Sequence, residues 1–420
     1  MNRINELIKE YCPDGVPFEK VKNVYTRVKG SPITAGKMKE IACDDGEIRI
    51  FAGGKTIIDA HENDIPKANI TRVPAVLVQS RGVIDVVYYD KPFTFKNEMW
   101  AYTSEDIVSV KFLYYVLKNS IQTFRDAASG MGSLPQISLK VTEEFMLPVP
   151  PLEVQREIVH ILDSFTLLTA ELTAELTARK KQYEFYRDEL LSVKKNIPIV
   201  KLGDIATEFY RGSGIKRDEV TDTGIPCVRY GEIYTTYNTW FDKCVSYTKL
   251  DFVKSPKYFE NGDILFAITG ESVEDIAKSV AYIGHEKCLA GGDIVVMKHK
   301  QNPRYLAHVL ATTEARMQKS KGKVKSKVVH SNVPSIKEIQ IPLPSLDVQE
   351  KYANVLDNFE AICTDLNIGL PAEIEARQKQ YEYYRDLLLT FAETGSMLLT
   401  DRQTDRQTDR QTDRQTDRQS

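Results

Sequence analysis

The stretch Leu147-Pro-Val-Pro-Pro-Leu-Glu-Val-Gln155 decides the fold of this chain, because a close copy returns 194 residues later as Ile341-Pro-Leu-Pro-Ser-Leu-Asp-Val-Gln349. Next to it, Ile161-Leu-Asp-Ser-Phe165 returns at the same offset as Val355-Leu-Asp-Asn-Phe359. An internal repeat of this length means that one structural plan is used twice along the chain.

A third block follows each copy, as Lys181-Gln-Tyr-Glu-Phe-Tyr-Arg-Asp188 and as Lys379-Gln-Tyr-Glu-Tyr-Tyr-Arg-Asp386, at an offset of 198. Each copy predicts a long helix that begins just after prolines, where a missing N–H costs nothing. The predicted helices cover roughly 151–192 and 345–391.

Apolar residues in the first helix recur at steps of three and four, which is the pattern of a coiled-coil seam. The tandem Thr-Ala-Glu-Leu at 169–172 and 173–176 adds a second step of four and therefore a stutter in the heptad register. The second copy carries Gly369-Leu-Pro371 instead, which predicts a kink or a break between two helices.

A mixed segment rich in β-branched and aromatic runs precedes each rod, at 17–147 and 198–341. The two segments share less sequence than the rods, although Leu77–Gly82 corresponds faintly to Leu265–Gly270. The sequence thus predicts an α+β chain in which strand-rich domains alternate with long helices.

Composition excludes several classes of protein. The 420 residues hold 56 Lys+Arg and 59 Asp+Glu, a formal charge of −3, which does not suit a protein that coats nucleic acid by bulk charge. No apolar run of membrane length occurs and the first residues are too polar for a signal peptide, so we expect a cytoplasmic protein. The six cysteines form no C-x-x-C pair, which predicts reduced, mostly buried thiols and no metal site.

Catalytic motifs are missing from the sequence. The run Phe51–Thr56 ends like a phosphate-binding loop, but Arg49 replaces its first glycine. No Asn/Asp-Pro-Pro-aromatic loop of an adenine methyltransferase occurs, and no lysine has a carboxylate two residues before it as a metal-dependent nuclease requires. We therefore predict no catalytic residue in this chain.

A basic run before the second rod indicates binding instead. From Arg316 to Lys327, six basic residues occur without an acid, interleaved with glycine and serine, and such a loop can lay its charges on phosphates. The small-residue loop Arg125–Ser133 occupies the corresponding place in the first segment. A solvated loop without a ligand is the alternative.

Taken together, the repeated Pro-x-Pro and Leu-x-Val-Gln strings, the Leu-Asp-x-Phe string and the Gln-Tyr-Glu-aromatic-Tyr-Arg-Asp block closely resemble the specificity subunit of type I restriction–modification systems, across nearly the whole chain. The resemblance implies two target-recognition domains, each reading one half of an asymmetric, interrupted DNA site. It implies that the two rods pack antiparallel as coiled-coil helices, fix the separation of the half-sites, and dock two methyltransferase subunits and the restriction and translocase subunits. S-adenosylmethionine, ATP and Mg are then expected on those partners and not on this chain.

The domain plan expected from the repeat and the resemblance has six parts. They are a segment 1–16 that completes a circular arrangement near the end of the second rod, recognition domain 17–147, central spacer 148–197, recognition domain 198–341, C-terminal spacer 342–395, and a disordered tail 396–420 of Thr-Asp-Arg-Gln repeats.

Loop position and residue type select the candidate site residues, since Arg or Lys reads guanine and Asn or Gln reads adenine in the major groove. The candidates for base readout are Lys55, Gln79, Arg81, Gln136, Tyr230, Glu232, Thr269 and Glu271. Those for the DNA backbone are Arg125, Lys319, Lys321, Lys323 and Lys325. Those for the spacer helices and their partners are Leu168, Leu172, Leu176, Tyr183, Tyr186, Tyr381 and Tyr384.

Two other functions stay open on sequence alone. One is a structural coiled-coil protein without a DNA role, and the other is a degenerate nuclease–methyltransferase fragment. The half-site sequences and the gap between them cannot be read from the residues.

Overall fold

The computed structural model describes residues 2–54, 56–129, 134–192, 196–321, 328–364 and 369–394. These residues form two compact units. The first contains the residues up to Ala170 together with those from Ala376, and the second contains Glu171–Glu375. The predicted tail 396–420 lies outside the described residues.

The first unit is a strand-rich domain with short helices. Its helices are α1 (Asn2–Tyr11), α2 (Val21–Val24), α3 (Ala35–Ile41), α4 (Ile107–Asn119), α5 (Ile121–Asp126) and α6 (Leu139–Glu143). Its strands are β1 (Phe18–Lys20), β2 (Thr26–Val28), β3 (Ile48–Phe51), β4 (Ile57–Ala60), β5 (Ala75–Gln79), β6 (Asp85–Tyr89), β7 (Phe93–Phe95), β8 (Trp100–Thr103) and β9 (Met146–Pro148).

The long helix α7 (Leu152–Leu190) continues from the first unit into the second. The second unit then has strands β10 (Ile199–Lys201), β11 (Ala206–Arg211), β12 (Val220–Thr221), β13 (Ile225–Val228), β14 (Trp240–Phe241), β15 (Ser246–Thr248), β16 (Tyr258–Phe259), β17 (Ile264–Ala267), β18 (Thr269–Gly270), β19 (Ser279–Tyr282), β20 (Cys288–Ala290), β21 (Ile294–His299), β22 (Val329–His330) and β23 (Gln340–Pro342). Its helices are α8 (Leu202–Ile205), α9 (Tyr230–Thr235), α10 (Pro303–Leu310), α11 (Thr313–Ser320), α12 (Val333–Lys337) and α13 (Leu346–Thr364), and α14 (Leu370–Thr394) leads back to the first unit.

The two strand-rich domains share a topology that their sequences barely reveal. The main sheet of the first has the order β2-β8-β5-β6, and that of the second has the order β11-β21-β17-β19-β14 with the first four strands paired in the same antiparallel way. In each domain a second sheet contains one parallel pair, β3 with β7 and β13 with β20. The α+β fold class predicted from the repeat is therefore confirmed.

The rods form close to where the repeat predicts them. Helix α7 has 39 residues and lies within the predicted 151–192. The second rod is two helices, since α13 ends at Thr364 and α14 begins at Leu370, immediately after the glycine that predicted a break.

Helices α7 and α13 run antiparallel in the second unit. Cys363 lies near the charges of Lys180 and Arg179, whereas Phe359 meets the ring of Tyr186 at 6.2 Å, so the numbering of one helix rises as that of the other falls. In the first unit, Phe165 of α7 stacks on Tyr384 of α14 at 5.3 Å. Paired helices thus occur in both units.

The N-terminal helix belongs to the core of the first unit. Ile4 and Ile8 are buried in one cluster with Ile158 of α7 and Leu388 of α14. Helices α1, α7 and α14 therefore contribute side chains to one core.

Burial agrees with the prediction for the thiols. Cys12, Cys227, Cys244, Cys288 and Cys363 are buried, and Cys43 is half-buried. Among the residues that the structure describes, none of the helices is both long enough and apolar enough to cross a lipid bilayer.

Candidate nucleic-acid interface

Both domains present an equivalent junction just after the central strand of the main sheet. In the first, β5 is followed by Ser80, whose carbonyl accepts a hydrogen bond from the Ile137 N–H at 2.9 Å. In the second, β17 is followed by Ile268, whose carbonyl accepts from the Ser331 N–H at 2.8 Å. Residue 80 aligns with residue 268 when Leu77–Gly82 is aligned with Leu265–Gly270. The equivalent hydrogen bonds of these two residues confirm that alignment.

Three loops meet at the junction of the first domain. Arg81 and Gln136 face each other across an isolated antiparallel bridge, and the Arg81 carbonyl accepts from the Gly54 N–H at 3.1 Å. Gly82 has a φ of +78°, in the left-handed region that glycine adopts without strain, and a Cβ on it would be in ordinary contact with the Gly54 Cα at 3.5 Å. Both Arg81 and Gln136 are exposed, so two side chains suited to base readout stand together at the surface.

A groove of about 790 Å³ lies beside Gln136. Ligand sites commonly have volumes of about 300–1,000 Å³. Basic residues from two separate segments line the groove, namely Arg27, Lys29 and Lys67. Sequence reasoning missed these three, because Lys67 is about 40 positions from Arg27 and Lys29 and only the fold brings the two segments together.

The junction of the second domain is built on the β18–β22 pair. Thr269 is opposite His330, and the Thr269 hydroxyl lies 3.2 Å from His330 Nδ1 within hydrogen-bonding distance. Thr269 and His330 therefore occupy the places of Arg81 and Gln136. His330 is exposed and was not among the predicted readers, although its place before the second rod matches that of Gln136.

Tyr230 and Glu271 remain candidates for base readout. Tyr230 is exposed at the first turn of α9, and Glu271 is exposed directly after β18. Lys55 lies outside the described residues.

Three residues that were predicted to contact DNA are buried, so these predictions are wrong. Gln79 is the last residue of β5, a strand buried on both faces, and is 6% exposed. Glu232 is buried because it caps α9, accepting hydrogen bonds from the backbone N–H and the Nε of Arg229 and from the Ser246 hydroxyl. Neither side chain can reach a base without leaving these positions.

Lys319 is the third correction, since its ammonium group points inward and cannot contact phosphate. It is 6% exposed and donates to the Leu310 carbonyl at 2.8 Å and to the Ser279 hydroxyl at 3.1 Å. Burial, followed by the nearby charges of Arg316 and Lys278, lowers the pKa of Lys319 to about 7.

This burial predicts a pH-dependent effect of Lys319→Met. Between pH 7 and about 10.4 the unfolded chain holds a proton on this lysine that the folded chain does not, so the stability of the wild type rises with pH in this range. The buried lysine therefore destabilises the fold most below pH 7, where it must be charged in both states. We expect the variant to be more stable than the wild type by about 1–4 kcal/mol at pH 6. This difference in stability should shrink towards pH 9. Urea denaturation at both pH values measures it.

Lys321→Met is the matched control, because Lys321 is exposed two residues away. Its effect should stay within about 0.5 kcal/mol at both pH values. A difference in unfolding free energy between Lys319→Met and the wild type that does not change with pH would show that Lys319 is charged and paired when the chain is folded.

The structure describes two of the other four residues that were predicted to contact the DNA backbone. Arg125 is exposed at the end of α5, and its Nε donates to the Ile84 carbonyl at 3.2 Å. Lys321 is exposed at the end of α11. Lys323 and Lys325 lie outside the described residues.

The predicted spacer residues form a partly buried seam. Tyr183 is buried, and Leu168, Leu172, Leu176, Tyr381 and Tyr384 are half-buried. Tyr186 is 45% exposed although its ring meets Phe359. The rods therefore retain apolar surface beyond their own pairing.

A repeated aspartate fastens each rod to its domain. In the second unit, Asp357 of α13 accepts from Arg304 at 2.6 Å, from Trp240 Nε1 at 2.8 Å, and lies 2.7 Å from His308 Nε2. In the first unit, its counterpart Asp163 accepts from Lys111 and from the Tyr115 hydroxyl, both at 2.6 Å. The Leu-Asp-x-Phe string thus carries the ion pair that holds the rod.

The pKa of Asp357 reflects this network. Burial by itself would raise it, but the hydrogen bonds from His308 and Trp240 and the charge of Arg304 outweigh burial and keep the pKa below its usual range. The carboxylate is therefore ionised when the chain is folded.

Comparison with known proteins gives consistent matches. The family model described as the type I restriction modification DNA specificity domain matches residues 32–179 and 194–376. The type I restriction enzyme EcoR124I/EcoR124II specificity subunit of Escherichia coli is 29% identical over 374 residues, which cover 83% of this chain and 88% of that protein. The putative type I restriction enzyme specificity subunit S.HindORF215P of Haemophilus influenzae is 30% identical over 312 residues, covering 71% and 77%.

One solved structure matches this chain with a TM-score of 0.54. That structure is described as the structural basis underlying complex assembly and conformational transition of the type I R-M system. It is 14% identical and covers 91% of this chain and 98% of that one, so it supports the fold alone.

These matches confirm the family predicted from the repeated blocks, together with the role of a DNA-specificity subunit that is not itself an enzyme. They give no support to a structural coiled-coil protein or to a nuclease–methyltransferase fragment. The chain belongs to the DNA-specificity subunits of type I restriction–modification systems.

Proposed function

We propose that this chain reads a bipartite DNA site, with the domain at 17–147 reading one half and the domain at 198–341 reading the other. The observation that carries the proposal is the equivalent junction in both domains, where Arg81 faces Gln136 and Thr269 faces His330. The side chains at each junction can donate and accept hydrogen bonds, which readout of base edges in the major groove requires.

Phosphate contacts set the register of such a reader. In the first domain, Lys29, Lys67 and Arg125 are exposed cations that can serve this purpose, and in the second domain Lys321 can do so. With a net charge of −3, the isolated chain supplies few such contacts, so we expect it to bind DNA weakly and to need basic surface from its partners.

The rods supply surfaces for those partners. Phe185 on α7 and Ile362 on α13 are 63% and 51% exposed, and such large apolar side chains suit a protein interface. We propose that the rods dock two methyltransferase subunits and the restriction and translocase subunits, which bring S-adenosylmethionine, ATP and Mg, and that the assembly works in the cytoplasm.

Arg81→Ala tests the assignment of the reader. We expect the assembled complex to lose about 1–3 kcal/mol of discrimination at one base pair of one half-site, because a bidentate arginine–guanine contact is removed. The other half-site and the gap should not change. Sequencing of modified adenines after methylation of a random DNA library measures all three at once.

Arg3→Ala is the control, since Arg3 is an exposed arginine on α1 that pairs with Glu157. It should leave both half-sites unchanged. An Arg81→Ala complex with the wild-type site at every position would remove Arg81 from the reader.

A further inference from the structure

Three potential metal ligands meet at one end of the β3–β4 hairpin. Ile48 pairs with Ala60 at this end, so the segment 43–47 leads into β3 and His61 directly follows β4. The Cys43 Sγ, an Asp45 carboxylate oxygen and a His61 ring nitrogen all lie within 4.8 Å of one another. The Cys43 N–H also donates to the Asp59 carbonyl at 3.0 Å, which fixes the backbone of the cysteine beside the strand end.

The imidazole of His61 is oriented as in a metal site. Its Nδ1 lies 2.8 Å from a carboxylate oxygen of Glu47, and the other oxygen of Glu47 accepts from the Glu62 N–H at 2.9 Å. Because an ionised carboxylate can only accept, the hydrogen on Nδ1 points at Glu47, and Nε2 is the nitrogen that carries the lone pair in the neutral ring. A carboxylate that holds the second nitrogen of a ligating histidine in this way is the usual support of a protein-bound metal.

The distances suit a tetrahedral ion. Bond lengths of about 2.0–2.3 Å to nitrogen, oxygen and sulfur place neighbouring ligand atoms about 3.3–3.6 Å apart. His61 Nε2 lies 3.5 Å from Asp45 Oδ1. One ion can therefore bridge these two atoms without a large movement of either side chain.

The other cluster of this kind among the described residues already has partners within the protein. In the group His308, Asp357 and Glu360, both ring nitrogens of His308 are engaged, Nδ1 with the Tyr183 hydroxyl at 3.0 Å and Nε2 with Asp357. Arg304 already supplies the positive charge to Asp357. Polar partners and a cation inside the protein therefore satisfy this group.

We propose that Cys43, Asp45 and His61 bind one divalent ion of the zinc class, with Glu47 orienting His61. A thiolate, an imidazole and a carboxylate form a ligand set that zinc accepts, and water completes the tetrahedron because Asp45 is mostly exposed. The ion ties the segment before β3 to the residue after β4 and closes the open end of the hairpin. This inference goes beyond the proposed function and does not depend on it.

We predicted no metal site from the sequence, because it contains no C-x-x-C pair. The two ligands Cys43 and His61 are 18 positions apart, and only the pairing of β3 with β4 brings them together.

Metal titration of the untagged full-length chain tests the proposal. After chelator treatment, we expect one equivalent of Zn²⁺ to bind and to raise the melting temperature, and Co²⁺ to give a thiolate charge-transfer band with the visible bands of tetrahedral cobalt. Cys43→Ser should abolish the charge-transfer band, and His61→Gln should abolish tight binding. Glu47→Gln should weaken binding by about 10–100-fold while it leaves the three ligands in place.

His285→Gln is the matched control, since His285 is an exposed histidine outside both clusters. It should bind metal as the wild type does. Absence of binding, or equal binding by the Cys43→Ser, Glu47→Gln and His285→Gln variants, would overturn the proposal and leave His61 as an ion-pair partner of Asp45 and Glu47 only.

Discussion

Asp357→Ala is expected to lower the free energy of unfolding of the second unit by about 3–5 kcal/mol, because it leaves one buried and two partly buried donors without their acceptor. Arg304, His308 and Trp240 all direct hydrogen-bonding atoms at this carboxylate, and His308 is fully buried. Asp163→Ala removes the equivalent group from the first unit, but Asp163 and Lys111 are each about one-third exposed. We expect a smaller loss there, of about 1–2 kcal/mol.

Tryptophan fluorescence can follow each unit by itself. The chain has two tryptophans, Trp100 in the first unit and Trp240 in the second, so Trp100→Phe and Trp240→Phe backgrounds each retain one reporter. Urea denaturation in these backgrounds gives the loss for each aspartate. Asp386→Ala is the control, because Asp386 is 59% exposed and forms its ion pair with the neighbouring residue Arg385. If Asp357→Ala were as mild as this control, the aspartate would not fasten the rod.

A third copy of Thr-Ala-Glu-Leu inserted into α7 is expected to change the DNA site that the complex recognises. Four residues lengthen a helix by about 6 Å, against about 3.4 Å per base pair of DNA. They also add about 40° beyond a full turn, against about 34–36° of twist per base pair. Both values predict a gap that is longer by one or two base pairs, with both half-site sequences unchanged.

The helix tolerates such an insertion because α7 already continues through both existing copies, with Leu172 and Leu176 half-buried. A variant that exchanges the second copy for Ser-Ala-Gln-Leu keeps the length and should keep the wild-type gap. An inserted copy that left the gap unaltered would contradict the role of α7 as the spacer.

The sequence predicted the rods well because their information is local and repeated. The start of α7 and the correspondence of residue 80 with residue 268 follow from strings that occur twice, and the break before Leu370 follows from the local Gly-Leu-Pro string. The shared strand order of the two domains could not be predicted to the same degree, because strand pairing joins distant segments whose sequences have diverged.

The candidate site was predicted less well, and the errors have a common cause. Residue type suggested Gln79, Glu232 and Lys319 as DNA contacts, but type does not show which way a side chain points. Gln79 lies on a strand covered on both faces, Glu232 caps a helix, and Lys319 closes the end of α10. The pairing of His330 with Thr269 and the metal ligands around His61 likewise depend on contacts between distant segments.

Mapping the modified adenines in DNA treated with the complete complex tests the central claim most directly. The account predicts an interrupted site made of two specific parts with a fixed gap, and predicts that exchange of residues 198–341 for those of a relative changes one part alone. A continuous recognition sequence, or a change in both parts after that exchange, would contradict it.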